Sequence, residues 1–302
     1  MKQNLPSVEH VSASAEWLDH FQRSLARADI VGEGDVIVLT PAERNAIARS
    51  VQEFQLGESS EGRHLISAAR RHAQETGDLD YVATMRLFIA EENRHARELG
   101  RVLDGAGIGR VSASWPDTVF RFLRRRAGLE LSIVVLVTAE IIAKVYYAAL
   151  RDATGCRPLR RLCEQILRDE RHHVIFQAQR VALLRAKRSR APIRLRVALH
   201  RFLLAGTCVV VWRKHGRAMR AGGMGFARFW RLTWREMNEA LADMDPRNYP
   251  APASERAKPT SGGGVVLACA VASSAASRLS APRPGAPSPQ RDPLQLTSED
   301  VT

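Results

Sequence analysis

Glu91-Glu92-Asn93-Arg94-His95 and Asp169-Glu170-Arg171-His172-His173 decide how this chain is read. Each sets a glutamate and a histidine three residues apart inside strongly helical sequence, and on a helix residues i and i+3 share a face. A further glutamate precedes each word: Glu61 stands 31 residues before Glu92, and Glu140 stands 30 before Glu170. Four helices supplying Glu, Glu-x-x-His, Glu and Glu-x-x-His carry the ligand set of a carboxylate-bridged two-metal site in a four-helix bundle.

Working outward from these words, the helices have clear punctuation. Thr40-Pro41-Ala42-Glu43 combines an N-cap threonine, a first-position proline and a glutamate at the third position, and predicts a helix from Thr40 to about Glu75. Gly77-Asp78 breaks it, and a second helix is expected from about Leu79 to Leu103, ending at Gly105. Gly107–Ser114 reads as a loop. A third helix is expected from about Pro116 to Ala153, kinked at Gly128; Gly155 ends it, and Pro158 opens a fourth that reaches about Arg188. Long helices with short connections favour antiparallel neighbours, so the fold class is all-α, an antiparallel four-helix bundle. A short amphipathic helix over Ser14–Ala28 precedes the bundle, and helices over Pro192–Arg220 and Gly225–Ala242 follow it. The expected organisation is an N-terminal helix and linker (1–39), the bundle (40–188), a basic helical extension (189–249) and a disordered, Pro-, Ser-, Gly- and Ala-rich tail (250–302).

The two halves repeat. Glu61 to Glu140 is 79 residues, while Glu92 to Glu170 and His95 to His173 are both 78. In two antiparallel hairpins this brings the four glutamates to a common height. Each interrupts an otherwise apolar 3-4 stripe, as in Ile133, Leu136, Glu140, Ala143, Tyr147. Buried carboxylates are normally neutralised, paired or bound to metal. The competing reading places them on solvated faces or against arginines such as Arg94 and Arg168. Glu58, one turn before Glu61 on the same stripe, is an alternative to it, although registry favours Glu61. Glu61-Gly62-Arg63-His64 is a third Glu-x-x-His word and makes His64 a possible extra ligand.

Charged residues are 25% and apolar residues 45% of 302, ordinary for a globular protein, but the net charge of +13 points to an acidic partner or surface. The four cysteines show no C-x-x-C spacing and read as reduced thiols of a cytosolic protein. The longest uncharged helical stretch, Phe202–Trp212, is too short to span a bilayer, and no transmembrane helix is expected.

Glu91-Glu92-Asn93-Arg94-His95 fits the (D/E)-E-x-R-H signature of ferritin-like di-iron carboxylate proteins, and Asp169-Glu170-Arg171-His172-His173 fits it except for His172 in place of arginine. Over about Thr40–Arg188 the chain thus resembles a superfamily of desaturases, monooxygenases, ribonucleotide reductase small subunits and rubrerythrins. The resemblance implies a ferritin-like bundle with metal ligands Glu61, Glu92, His95, Glu140, Glu170 and His173. In that set Glu92 and Glu170 bridge the ions, and Asp169 and Glu91 orient the imidazoles. It implies two Fe ions, with Mn possible at either position, and O₂-dependent hydroxylation or desaturation of an organic substrate, with an electron donor such as a ferredoxin. A ferroxidase or peroxide scavenger is the alternative. A radical-generating role is disfavoured: Leu99 stands where the reductase subunits carry a tyrosine, and Tyr146 and Tyr147 read as core.

From Arg171 through Arg235 there is no Asp or Glu against sixteen Lys or Arg. That stretch suits a solvated face, an anionic membrane surface, an acidic carrier protein or nucleic acid. A non-enzymatic basic helical binder is therefore a third reading. The expected location is cytoplasmic, with peripheral membrane contact and a homodimer both possible.

Overall fold

The computed structural model describes residues 13–59, 62–112, 128–186 and 190–249. These belong to one compact unit, Met1–Arg256; a second unit, Ala257–Thr302, lies outside the described residues, as does all of the expected disordered tail. Every regular element among the described residues is helical. In chain order they are α1 (Ala13–Leu25), α2 (Pro41–Glu58), α3 (Arg63–Thr76), α4 (Asp80–Gly105), α5 (Leu129–Asp152), α6 (Arg157–Arg185), α7 (Arg190–Ala221) and α8 (Phe226–Asp243), followed by a 3₁₀ turn at Pro246–Asn248.

The start of α2 is the one the sequence announces. The Thr40 hydroxyl accepts from the Glu43 amide at 3.2 Å, and the Glu43 carboxylate accepts from the Thr40 amide at 2.7 Å. The other Glu43 oxygen accepts from the Gly155 amide at 2.5 Å, so one capping glutamate ties the head of α2 to the α5–α6 turn.

The expected single helix to Glu75 is instead two. α2 stops at Glu58, and α3 starts after Gly62, which is left-handed at φ +62°. Gly57, Ser59, Ser60 and Gly62 crowd poor helix formers into six positions, and the left-handed conformation excludes most other residues. Space enforces the glycine too, since a Cβ there would lie 2.2 Å from Ile89 Cδ1 on α4. Gly77, at φ +77°, caps the end of α3 as expected. Gly128 does not kink a longer helix: it is extended and α5 begins after it, while 113–127 lie outside the described residues.

α2, α4, α5 and α6 surround the core, with α5 and α6 joined by a four-residue turn into a hairpin. Leu99, Val137, Ile141, Tyr146, Leu159, Leu162 and Ile166 are fully or nearly fully buried between them. α1 lies along α4, and α3 covers part of α4 and α5. α7 packs on α5 and α2, with His200 Nε2 3.0 Å from Thr138 Oγ1 and His215 Nδ1 2.8 Å from Ser50 Oγ. α8 folds back over α5 and α6 with Phe229 and Met237 inward.

Two helices reach the length and mean hydropathy of a membrane span, where the sequence reading expected none: α5 and the Ile193–Ala221 part of α7. Burial accounts for α5, whose most apolar window is 83% inside the bundle. The corresponding window of α7 is only 22% buried.

Candidate metal centre

The bundle brings one carboxylate or one Glu/His pair from each of four helices to a common level. α2 delivers Glu58, α4 delivers Glu92 and His95, α5 delivers Glu140, and α6 delivers Glu170 and His173. They form two overlapping groups. Glu58, Glu92, His95 and Glu170 place one ligand atom each within 4.8 Å of one another, and so do Glu92, Glu140, Glu170 and His173. Glu92 and Glu170 belong to both. His95, Glu170 and His173 are wholly buried, and Glu140 and Glu58 nearly so.

The imidazoles are aimed by a reciprocal arrangement. His95 Nε2 lies 3.1 Å from Asp169 Oδ2, and His173 Nε2 lies 2.9 Å from Glu91 Oε2. The acid that precedes the inner glutamate of each motif therefore fixes the histidine of the other, leaving Nδ1 to face inward. His173 Nδ1 sits 2.9 Å from Glu92 Oε1 and 3.2 Å from Glu170 Oε2; His95 Nδ1 is 3.6 Å from Glu170 Oε1.

One guanidinium serves both outer acids. Arg94, itself buried, donates to Glu91 at 3.0 Å and to Asp169 at 3.1 Å, and its other arm reaches the Ser24 carbonyl at 2.7 Å. The Ser24 hydroxyl also donates to Glu91, so α1 closes this side of the centre. His172, in the place of the second signature arginine, takes no part. It turns outward, with Nδ1 2.9 Å from the Arg168 carbonyl and its ring 4.4 Å from that of His20 on α1.

Electrostatics agree with a site built for cations. Burial and then the charge of Glu92 push Glu58 well above the ordinary carboxylate range. Burial and the neighbouring charge of Glu140 do the same to Glu170, and burial with Glu92 raises Glu140. Burial also opposes the charge on Glu92, but the charges of His173 and His95 outweigh it and hold that carboxyl below its usual value. Burial disfavours a charged His173, yet Glu170 and Glu92 override it and raise the imidazole well above its ordinary pKa. Several carboxylates at one depth repel one another unless protons or metal ions intervene.

The remaining hydrogen-bond capacity tests whether metal ions fit. His95 Nδ1 and Glu170 Oε1 are buried without a hydrogen-bond partner, Glu92 Oε1 meets only the His173 imidazole, and all three are ligand-type atoms of residues in the two groups. Unsatisfied buried polar atoms are rare in folded proteins. Their coincidence in one place, with oxygen and nitrogen donors and no sulfur, suits iron or manganese.

Of the expected ligands, Glu92, His95, Glu140, Glu170 and His173 are gathered together, and Glu61 lies outside the described residues. Glu58 fills the α2 side, because the helix carrying it ends there and turns its last carboxylate inward. His64 is exposed on α3 and belongs to neither group, since the break before Gly62 changes the face it shares. Three residues around the centre escaped the sequence reading. Tyr147 donates to Glu58 at 2.5 Å, Gln177 donates to Glu140 at 3.1 Å, and Ser24 holds Glu91. Tyr147 and Gln177 already lay on the right stripes, but nothing in spacing says that their polar ends meet carboxylates.

No family model matches the chain, and no curated protein does. Solved structures do. An R2-like ligand-binding oxidase without metal cofactor superposes with TM-score 0.59 at 14% identity, covering 80% of this chain and 99% of that one. An R2-like ligand-binding oxidase with an aerobically reconstituted metal cofactor after photoconversion gives 0.57 at 16% identity, with 80% and 95% covered. A point variant of such an oxidase, with an aerobically reconstituted Mn/Fe cofactor, gives 0.58 at 16% with the same coverage. The chain therefore shares the all-helical, ferritin-like fold of the R2-like ligand-binding oxidases.

Proposed function

We propose that this protein is a carboxylate-bridged two-metal oxidase that uses O₂ to oxidise an organic substrate. The observation that carries the reading is the double membership of Glu92 and Glu170 in two adjacent four-residue groups, each completed by one histidine and one further glutamate. In this reading Glu92 and Glu170, common to both groups, would help to hold both ions, Glu58 and His95 would serve one, and Glu140 and His173 the other. Held there, two iron ions, or a manganese and an iron as in the similar Mn/Fe structures, would supply the redox chemistry for activating O₂.

The chain's own part is orientation and exclusion of water. Asp169 and Glu91 face Nε2 of His95 and His173, so Nδ1 of each turns toward the inner carboxylates, where it could serve as the ligand atom. Phe88 packs edge-on against His173 with ring centroids 4.8 Å apart, and Phe21 and Phe176 extend that apolar wall. Tyr147 and Gln177 each donate one hydrogen bond to the outer carboxylates Glu58 and Glu140.

Metal analysis of purified protein is the direct test. The expected result is about two Fe or Mn per chain, with O₂ consumption after Fe(II) loading that Glu92→Ala and Glu170→Ala abolish. Protein without stoichiometric metal would overturn the reading. Fe(II) oxidation that no organic compound stimulates would move it to the ferroxidase class.

A further inference from the structure

The outer face of α7 is unlike any other surface among the described residues. Leu195, Leu199, Phe202, Gly206 and Val209 recur at i, i+4, i+7, i+11 and i+14, which is one line along the helix. Phe202 is 80% exposed, Leu195 63%, Leu199 59% and Val209 44%. The opposite side of the same helix is the one buried on the bundle, through His200, Leu204, Cys208, His215 and Met219. Arg194 and Arg201 flank the apolar line, and exposed Arg213, Arg217 and Arg220 continue it toward the C-terminus. None of Arg194, Arg213 and Arg217 has an ion-pair partner among the described residues.

We infer that this face docks the protein in-plane on an anionic lipid surface. The apolar line enters the acyl boundary while the arginines reach the headgroups, their aliphatic stems lying along the same interface. Spanning would pull the face that carries His200, Leu204, Cys208, His215 and Met219 off the bundle. The uncharged stretch Phe202–Trp212 rises roughly 16 Å, about half of a hydrocarbon core. Charge also selects the occupant. A second copy meeting this face would set arginine against arginine, and no acidic residue occurs between Arg171 and Arg235 to relieve it. Nucleic acid would satisfy the arginines but not four exposed aliphatic and aromatic side chains, of which only Phe202 can stack on a base.

The test is flotation of the full-length protein with vesicles of phosphatidylcholine alone or with about one-third phosphatidylglycerol. Binding is expected to the anionic vesicles and to weaken with salt. The pair Leu199→Ser and Phe202→Ser should lower partitioning at least about tenfold, because both side chains leave water only in the bound state. Arg194→Gln, Arg213→Gln and Arg217→Gln should each weaken it about fivefold. Circular dichroism and metal content of these surface variants should match the parent, separating this outcome from that of the metal centre. Vesicle binding undiminished by the Leu199 and Phe202 changes would overturn the inference. So would stronger binding to homopolymeric RNA than to vesicles, or a concentration-dependent dimer that the same changes dissolve while vesicles are ignored.

Discussion

The two halves of the bundle carry nearly the same motif on differently built supports. In the second half α5 runs unbroken past Glu140, and an amide, Gln177, holds that carboxylate. In the first half α2 ends on Glu58, the chain breaks before Gly62, and a buried phenol, Tyr147, holds the carboxylate. The outer shell is lopsided too, for Arg94 pairs with both outer acids while His172 leans away toward α1. In the proposed reading, a near-symmetric set of side chains on an asymmetric frame would make the two metal positions inequivalent. The position near Glu58 stands beside the phenolic O–H of Tyr147, whose proton burial and the charge of Glu58 hold tightly; the one near Glu140 stands beside the neutral amide of Gln177.

The largest effect should come from what the halves share. Glu170→Ala removes a ligand common to both groups, and metal content should fall from about two ions per chain to well under one, measured by mass spectrometry of the metals. Next is the shared arginine. Arg94→Ala leaves Glu91 and Asp169 buried with one cation fewer, and should cost about 3 kcal/mol in urea unfolding as well as loosening metal binding tenfold or more.

A third prediction concerns pH in metal-free protein. Glu58, Glu140 and Glu170 are raised above 4.5, so the folded state holds protons the unfolded chain gives up. His173 is raised above 6.5, and its contribution is complete below that value and lost above it. For the centre both signs agree: its contribution to metal-free stability should decline as pH rises from about 4.5 through neutrality, whereas half-buried His20 and buried His200 and His215, held below 6.5 by burial, act in the opposite sense up to that value with or without metal. Ions replace the protons, so stabilisation by added metal should grow over the same interval. Thermal melts at several pH values with and without Fe(II) or Mn(II) check this, and a flat difference would refute it.

The break between α2 and α3 offers a smaller lever. Gly62→Ala forces a left-handed alanine against Ile89 and should cost about 1–2 kcal/mol. Smallest is Tyr147→Phe, expected to change affinity at one position about tenfold while Gln177→Leu alters the other. Equal effects on both ions would show that the asymmetry has no chemical consequence. Comparing Glu58→Gln with Glu61→Gln sharpens the first half further, since only the residue that fills the α2 side should affect metal content.

Much of this convergence was legible because residues that share one face of a helix recur at fixed spacing. Glu92, His95, Glu170 and His173 show themselves by the i, i+3 rule, and Glu140 by interrupting an apolar stripe. The α2–α3 break was hidden because the 3-4 pattern continues across it, so registry pointed to Glu61 while the helix ended on Glu58. Tyr147 and Ser24 were hidden for another reason: their bonds reach partners 89 and 67 residues away, and local sequence carries no record of which hydroxyl meets which carboxylate. Arg94 was read as a signature residue. That one arginine would serve two motifs follows only from the packing of α4 on α6.

The exchange of partners between the motifs has a consequence for assembly. A nascent chain released only through α4 would display an entire Glu-x-x-His word, yet its imidazole would have nothing to steady it, because Asp169 had not been synthesised. In the proposed reading, His95 would be held ready for a metal ion only once α6 has docked beside α4.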